Sequence, residues 1–358
     1  MTSDYNATNY FKGRGSQIKP HNKYLQNAYV TDHIEGLDEP LLSNPNTQVF
    51  IEHPKKIINK VDSPDLGLMF SMNPYQGCEH GCIYCYARNT HPYWGFSAGL
   101  DFESKIIMKP NAALLLEEAF RKRHYVPQTI MLSGNTDCYQ PLERKMQITR
   151  KMLEVLLRYK HPVGIITKNS LIIRDLDILK PMAEMNLVTV TLSITTLKEE
   201  LRRVMEPRTA SSFKRLETVR VLTENGIPVN VNVAPIIPSI NSDEVPAIIK
   251  AAADAGACDV HFTIVRLNGD IGAIFTDWVH KNFPDRADKV LHQIQSVHDG
   301  KLNDSRFGKR MVGEGPIAEA IHQLFAVAKA KYMAGRSLPV LDHSLFEVPQ
   351  LTKQLEFF

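Results

Sequence analysis

Through the first 64 residues apolar positions are sparse and unpatterned. Stretches such as NYFKGRGSQIKPHNKY are rich in Asn, Lys and Gly, and only TQVFIE, Thr47 to Glu52, alternates like a strand. Residues 1–64 therefore read as a polar arm, partly disordered. From Phe70 onward short β-branched runs alternate with segments of helical period, which is how a parallel sheet with crossover helices is written. FSMNPYQ, QTIMLSG, PVGIITK, LVTVTLSI, PVNVNVAPII and CDVHFTIV read as strands. The helices between them are NAALLLEEAFRKRH, capped by Asn111; PLERKMQITRKMLEVLLRYK, opening at Pro141; and RDLDILKPMAEMN, kinked or divided at Pro181. SSFKRLETVRVLTEN, between a Ser cap and Gly226, and DEVPAIIKAAADAG complete the set. Six β/α units fall two short of a closed eight-stranded barrel. The fold class is α/β: an open, partial (β/α)6 TIM-like barrel over residues 65–268. An N-terminal extension precedes it, and a C-terminal helical extension, 269–358, packs on it through EAIHQLFAVAKAKYM.

In parallel α/β folds ligands bind at the carboxyl ends of the strands, and the first strand ends in NPYQGCEHGCIYCYARNTHPYWG, Asn73 to Gly95. Cys78, Cys82 and Cys85 are spaced C-x3-C-x2-C, and Gly77 and Gly81 let such a loop turn three sulfurs toward one centre. Three thiolates suit three irons of a 4Fe–4S cube, leaving the fourth iron open. The competing reading is structural zinc with His80 or His91 as fourth ligand, although no second knuckle of cysteine or histidine is present.

Composition narrows the setting. A chain of 358 residues, 43% apolar and 23% charged, suffices for one large domain with appendages. Five cysteines, three of them clustered, do not frame a secreted disulfide domain, and MTSDYNATNYFKGRGS lacks the apolar run of a signal peptide. The implied compartment is reducing and cytoplasmic. No window approaches the roughly 18 apolar residues of a membrane span, so no membrane association is expected. A formal charge of +3 admits an anionic partner without arguing for one. Lys301, Arg306, Lys309 and Arg310 in GKLNDSRFGKRMVGEG suit either a phosphate grip or a solvated loop, the latter being the plainer reading. His124, His261 and His322 belong to no constellation, and Cys258 reads as a buried strand residue.

The cysteine motif, with an aromatic just before its last cysteine at the end of the first strand of a partial barrel, resembles that of the radical SAM enzymes. NPYQGCEHGCIYCYAR, GLDFESKI, SGNTDCYQP, MEPRTASSFKRLETVRVLTENGIPV and APIIPSINSDE narrow the resemblance to bacterial relatives of spore photoproduct lyase, over about Ser63 to Val348. It implies an enzyme in which Cys78, Cys82 and Cys85 hold a 4Fe–4S cluster, S-adenosylmethionine chelates the open iron, and reductive cleavage yields a 5'-deoxyadenosyl radical that abstracts hydrogen. A reductant such as flavodoxin or ferredoxin is implied as partner, and a nucleic-acid substrate is suggested.

Residue by residue, the resemblance places Tyr84 beside adenine, with Tyr86 following as in the lyases. Gly134, Asn135 and Asp137 are set at the methionyl amine, Lys168 at the methionyl carboxylate, and Ser193 among the cofactor's polar groups. Tyr84 equally suits an ordinary core position, and Asp137 a helix cap. In RRVMEPR, Arg208 is the candidate for the active-site face, while Arg202, Arg203 and Glu206 read as a solvated charge run. VAPIIP, stiffened by Pro235 and Pro238, resembles the segment passing adenine. Cys138 lies near the lyases' hydrogen-donating cysteine, yet that cysteine aligns with Gly134, four residues earlier. A different class of function remains beside this one: a non-catalytic nucleic-acid-binding protein stabilised by zinc or a cluster, with the arm and DSRFGKR as phosphate contacts.

Overall fold

The computed structural model describes residues 11–24, 46–67 and 69–349. Six parallel strands form its centre: β1 (Phe70–Met72), β2 (Ile130–Leu132), β3 (Val163–Thr167), β4 (Val188–Ser193), β5 (Val229–Ile236) and β6 (Asp259–Ile264). They pair in chain order, and a two-residue strand, Asn59–Lys60, adds antiparallel to β1. β1 and β6 do not pair, so the barrel is open, as the six-unit pattern predicts. The strands are apolar runs because both faces are covered: Leu132, Ile165, Val190, Val231 and Val260 are fully buried.

Crossover helices α1 (Ala112–Phe120), α2 (Ile148–Arg158), α3 (Leu176–Glu184), α4 (Ser212–Glu224) and α5 (Val245–Asp254) cover the outside. α2 buries Ile148, Met152, Leu153 and Leu156 on one face, each contributing about 1.5–3 kcal/mol by removal from water. Three more helices follow: α6 (Ile271–Asn282), α7 (Ala287–Ser296) and α8 (Gly315–Tyr332). α8 packs on α5 and closes the far edge, its Phe325 ring 4.5 Å from Phe262 and its Lys329 ammonium 2.6 Å from Asp259.

Several local expectations are corrected. The helix expected to open at Pro141 breaks into Glu143–Met146 and α2, with Gln147 between them in the left-handed region at φ 53°. The cause is Glu143, fully buried, whose carboxylate accepts from Tyr75, the Thr149 amide and Arg174 and so holds that turn inward. Pro181 does not divide α3; the chain instead tightens earlier, over Ser170–Asp175. Asn111 precedes α1 but its side chain makes no capping bond. FSMNPYQ is two strands: after β1 the chain turns, and Tyr75–Gln76 pairs with Lys105–Met108, itself paired with Gln48–Ile51 in a small separate sheet. Within the arm, Arg14, Ser16, Gln17 and Asn22 are buried, Arg14 and Ser16 on Glu103 and Asn22 on the carbonyls of Pro92 and Phe96, while residues 1–10 and 25–45 lie outside the described residues.

Candidate active site

A cavity of about 310 Å³ lies over the carboxyl ends of the strands. All six central strands, or the segments that follow them, contribute to its lining. Cys78, Cys82, Tyr84, Cys85 and Tyr86 come from beyond β1, Ser133 to Asp137 from the end of β2, and Thr167 and Lys168 from β3. Ser193 ends β4, Asn232, Ala234 and Pro235 belong to β5, and Thr263 to Arg266 close the ring from β6.

The cysteine loop is built to one shape. Gly77 and Gly81 have φ of 75° and 69°, and a Cβ on Gly81 would stand 2.8 Å from a Glu103 carboxylate oxygen. Arg88, fully buried, donates to the Cys82 carbonyl from both Nε (3.0 Å) and an η nitrogen (2.9 Å), and to the carbonyls of Ala98 and Gly99. Its charge is met by Glu103 at 2.5 Å. The Glu103 carboxylate also accepts from the amides of Gly15 (2.9 Å) and Ser16 (2.6 Å), and Arg14 donates to the Glu103 carbonyl at 2.6 Å, so the N-terminal segment straps the loop from behind. Gly15 fits only as glycine, because its Cβ would lie 1.7 Å from the Gly81 carbonyl oxygen.

Burial raises the pKa of all three loop thiols. A bound cation offsets that cost by drawing the protons off, which is the condition for metal ligation. Among the described residues no three His, Cys, Asp or Glu are arranged to hold a single metal ion. The histidines proposed as zinc ligands are engaged elsewhere through at least one ring nitrogen each. His80 Nδ1 lies 3.3 Å from Asp137 and its Nε2 3.2 Å from Asn169 Nδ2, while His91 Nε2 faces the Asp101 carbonyl at 3.2 Å, between Phe96 and Phe102. Three sulfurs lining one cavity are the donor set a 4Fe–4S cube would use, with one thiolate to each of three irons.

Beneath the loop, Tyr84 donates its hydroxyl to Glu206, which also accepts from Thr195 (2.6 Å) and is paired with Arg215. Glu206 and Arg215 are completely buried. Burial alone would raise the Glu206 carboxyl, but the guanidinium of Arg215, then Lys168 and the hydroxyl donors, hold it down at about 2.

The model of the radical SAM superfamily matches residues 72–252, just over half of the chain. The chain belongs to the radical SAM superfamily. It is therefore an enzyme of radical chemistry. An uncharacterised protein of Mycobacterium tuberculosis (strain ATCC 25618 / H37Rv) is 30% identical over 64% of this chain and 69% of its own length. An uncharacterised protein of the Acidianus two-tailed virus is 30% identical over 62% of the chain and 73% of its own. Among solved structures, a Cys-to-Ser mutant of spore photoproduct lyase superposes with a TM-score of 0.60 at 16% identity over 86% of each chain. The same lyase complexed with dinucleoside spore photoproduct gives 0.59 at 15% identity, over 85% of this chain and 86% of the lyase. At that identity the likeness is one of fold.

In this radical SAM enzyme the cavity gathers most residues singled out from sequence: the three cysteines, Tyr84, Tyr86, Gly134, Asn135, Asp137, Lys168 and Ser193. Tyr86 is half-exposed and donates to the Gly134 carbonyl at 2.6 Å. Asn135 is tied to Asn73 and Gln76. The Asp137 carboxylate is engaged on both oxygens, by Thr167 and the Tyr139 amide on one and by the Lys168 amide and His80 on the other. Burial pushes its pKa up, and His80 with these donors outweighs that and holds it below its ordinary value.

Two candidates stand apart. Cys138 is fully buried and outside the lining, its amide donating to Ser133 Oγ and its carbonyl accepting from Thr149. A side chain at Gly134, the position aligned with the lyase cysteine, would meet Ser71 Cβ at 2.7 Å. Arg208 faces Glu79 at 3.7 Å and lines an outer groove with Arg144 and Lys214. The charge run around it is not solvated as expected. Arg202 is buried on the carbonyls of Glu206 and Thr209, and Glu206 lies in the core; Arg203 alone extends outward.

Sequence reasoning missed Asn232, Thr263 and Arg266. The available signal was positional: Asn230 and Asn232 form the polar half of the V-N-V-N-V alternation of β5, a strand of a sheet covered on both faces, and Arg266 stands two residues past the end of β6, on the rim where ligands bind.

Proposed function

We propose that this chain binds one 4Fe–4S cluster through Cys78, Cys82 and Cys85, binds S-adenosylmethionine in the adjoining cavity, and abstracts a hydrogen atom from a substrate at the same opening. The observation that carries the reading is the convergence of three thiols, a lysine with no ion pair among the described residues and an aromatic ring on one cavity at the carboxyl ends of the strands. When bound, the cluster and S-adenosylmethionine supply a one-electron cleavage that yields the 5'-deoxyadenosyl radical. The chain's residues bind and orient. Lys168 has no carboxylate partner among the described residues and extends to 5.9 Å from the Tyr84 ring centroid, so its ammonium is available to the methionyl carboxylate. Ser193 offers a hydroxyl in the lining, and Tyr84, its hydroxyl anchored on Glu206, offers a fixed ring for adenine. Asp137 holds His80 and the Lys168 backbone in place, and Gly134 and Asn135 form the wall between them. Arg208 and Cys138 have no part in this site. A flavodoxin or ferredoxin fits the need for a one-electron donor. A nucleic-acid substrate has the lyase-like fold as its only support.

The test is anaerobic iron and sulfide analysis with EPR of the dithionite-reduced protein, with and without S-adenosylmethionine, on wild type and Cys82→Ala. The expected result is about four irons per wild-type chain and a reduced-cluster signal that changes on adding S-adenosylmethionine. Stoichiometric zinc, or a signal indifferent to S-adenosylmethionine, refutes the assignment of the cluster and cofactor to this site.

A further inference from the structure

The side of the cavity formed by β5 and β6 is unused by the residues assigned above. Arg266 projects into it from just beyond β6, half-buried, and makes no hydrogen bond or ion pair among the described residues. The buried arginines elsewhere in the fold are committed: Arg88 to Glu103, Arg202 to Glu199, Arg215 to Glu206. Asp65, the carboxylate whose field reaches Arg266, is itself engaged by Arg310 at 2.5 Å and by the Gly308 amide at 2.7 Å. Asn232 and Thr263 line the same side, and their side chains are likewise without hydrogen-bond partners among the described residues. A guanidinium taken partly out of water with no ion-pair partner of its own among the described residues is costly, and its fork of donors matches a planar or tetrahedral oxyanion.

We infer that Arg266, with Asn232 and Thr263 beside it, is the site that selects a substrate bearing an oxyanion, a phosphate or a carboxylate, and places it across the cavity from Lys168. This deepens the reading above and rests on it. Burial and the nearby positive charge of Arg310 depress the Arg266 pKa, yet an arginine stays cationic at neutral pH, so the site keeps its preference for anions.

The experiment uses reconstituted holoprotein saturated with S-adenosylmethionine, titrated at constant ionic strength with inorganic phosphate or with acetate and followed by calorimetry. Wild type binds at least one of the two, the stronger naming the headgroup. Arg266→Gln weakens that binding at least tenfold, and Arg266→Lys, which keeps the charge but not the fork, weakens it less. Binding of neither anion, or equal binding by Arg266→Gln and wild type, overturns the inference. So does a tenfold loss of S-adenosylmethionine affinity in Arg266→Gln, read from the EPR change, because the guanidinium would then serve the cofactor's carboxylate. Failure of the underlying reading has a different signature: the wild-type EPR signal would ignore S-adenosylmethionine whatever the anion titration gave.

Discussion

Replacing Glu206 with Gln tests whether the Tyr84 platform rests on a buried ion pair. Glu206 and Arg215 are both fully buried, and the carboxylate also accepts from Tyr84 and Thr195. The amide keeps an acceptor for the hydroxyls but leaves the Arg215 guanidinium buried without its counter-charge, an imbalance that costs about 3–5 kcal/mol. Wild type carries the same information in its acid response. The Glu206 pKa falls from an ordinary 4.5 to about 2 on folding, which at about 1.4 kcal/mol per tenfold in proton affinity is worth ~3 kcal/mol. Because the folded pKa is the lower one, this stability is fully present above about pH 4.5. It is lost as pH falls through about 2. Urea unfolding at pH 7 under anaerobic conditions should therefore show Glu206→Gln less stable by about 3–5 kcal/mol. As the pH is lowered below about 4.5, the gap between wild type and variant should narrow by ~3 kcal/mol. Tyr84→Phe, which removes one donor and keeps the pair, should cost about 1 kcal/mol. Equal denaturation midpoints for Glu206→Gln and wild type at pH 7, or a gap that does not change with acid, would refute the argument that the pair supports the platform.

Gly15→Ala places a methyl group where the Gly81 carbonyl stands, so the strap must lift; unfolding should register a loss of about 1–3 kcal/mol, with fewer irons retained per chain after gel filtration. Asp137→Asn breaks the contact with His80 and the two-sided cradle of the Lys168 turn, and should cost about 1–3 kcal/mol and weaken S-adenosylmethionine binding; unchanged affinity would show that the turn is held by other means. Cys138→Ala removes a thiol outside the cavity, so release of 5'-deoxyadenosine should persist while stability drops by about 1–2 kcal/mol; loss of cleavage in a folded variant would bring Cys138 back into the chemistry.

The barrel was legible because its signals are local. Fully buried parallel strands must be apolar runs, and helices between them must show one apolar face, so β3, β4, α4 and β5 stand where the periodicity puts them. The cysteine loop was legible because spacing of three residues and two residues is itself chemistry. What escaped depends on contacts between distant positions. Glu206 looked like one member of a charge run because its partners, Tyr84, Thr195 and Arg215, converge on it only through the fold. Gln147 interrupts a good helical pattern because Glu143 is held from outside that helix. Arg208 and Arg266 are indistinguishable as letters, and only the barrel decides that one faces an outer groove and the other the cavity.

The strap at Gly15 and Ser16 also bears on how the chain can be cut and recombined. The span shared with the superfamily begins at residue 72, yet the amides that complete Glu103 lie more than fifty residues upstream of it. A shortened version starting at the barrel would keep every cysteine and still leave a buried carboxylate short of two donors, directly behind the turn that shapes the motif. The N-terminal segment is thus a removable part by sequence texture and an obligatory one by wiring. Grafting this cysteine loop onto another barrel would require carrying a piece of chain that no motif search would include.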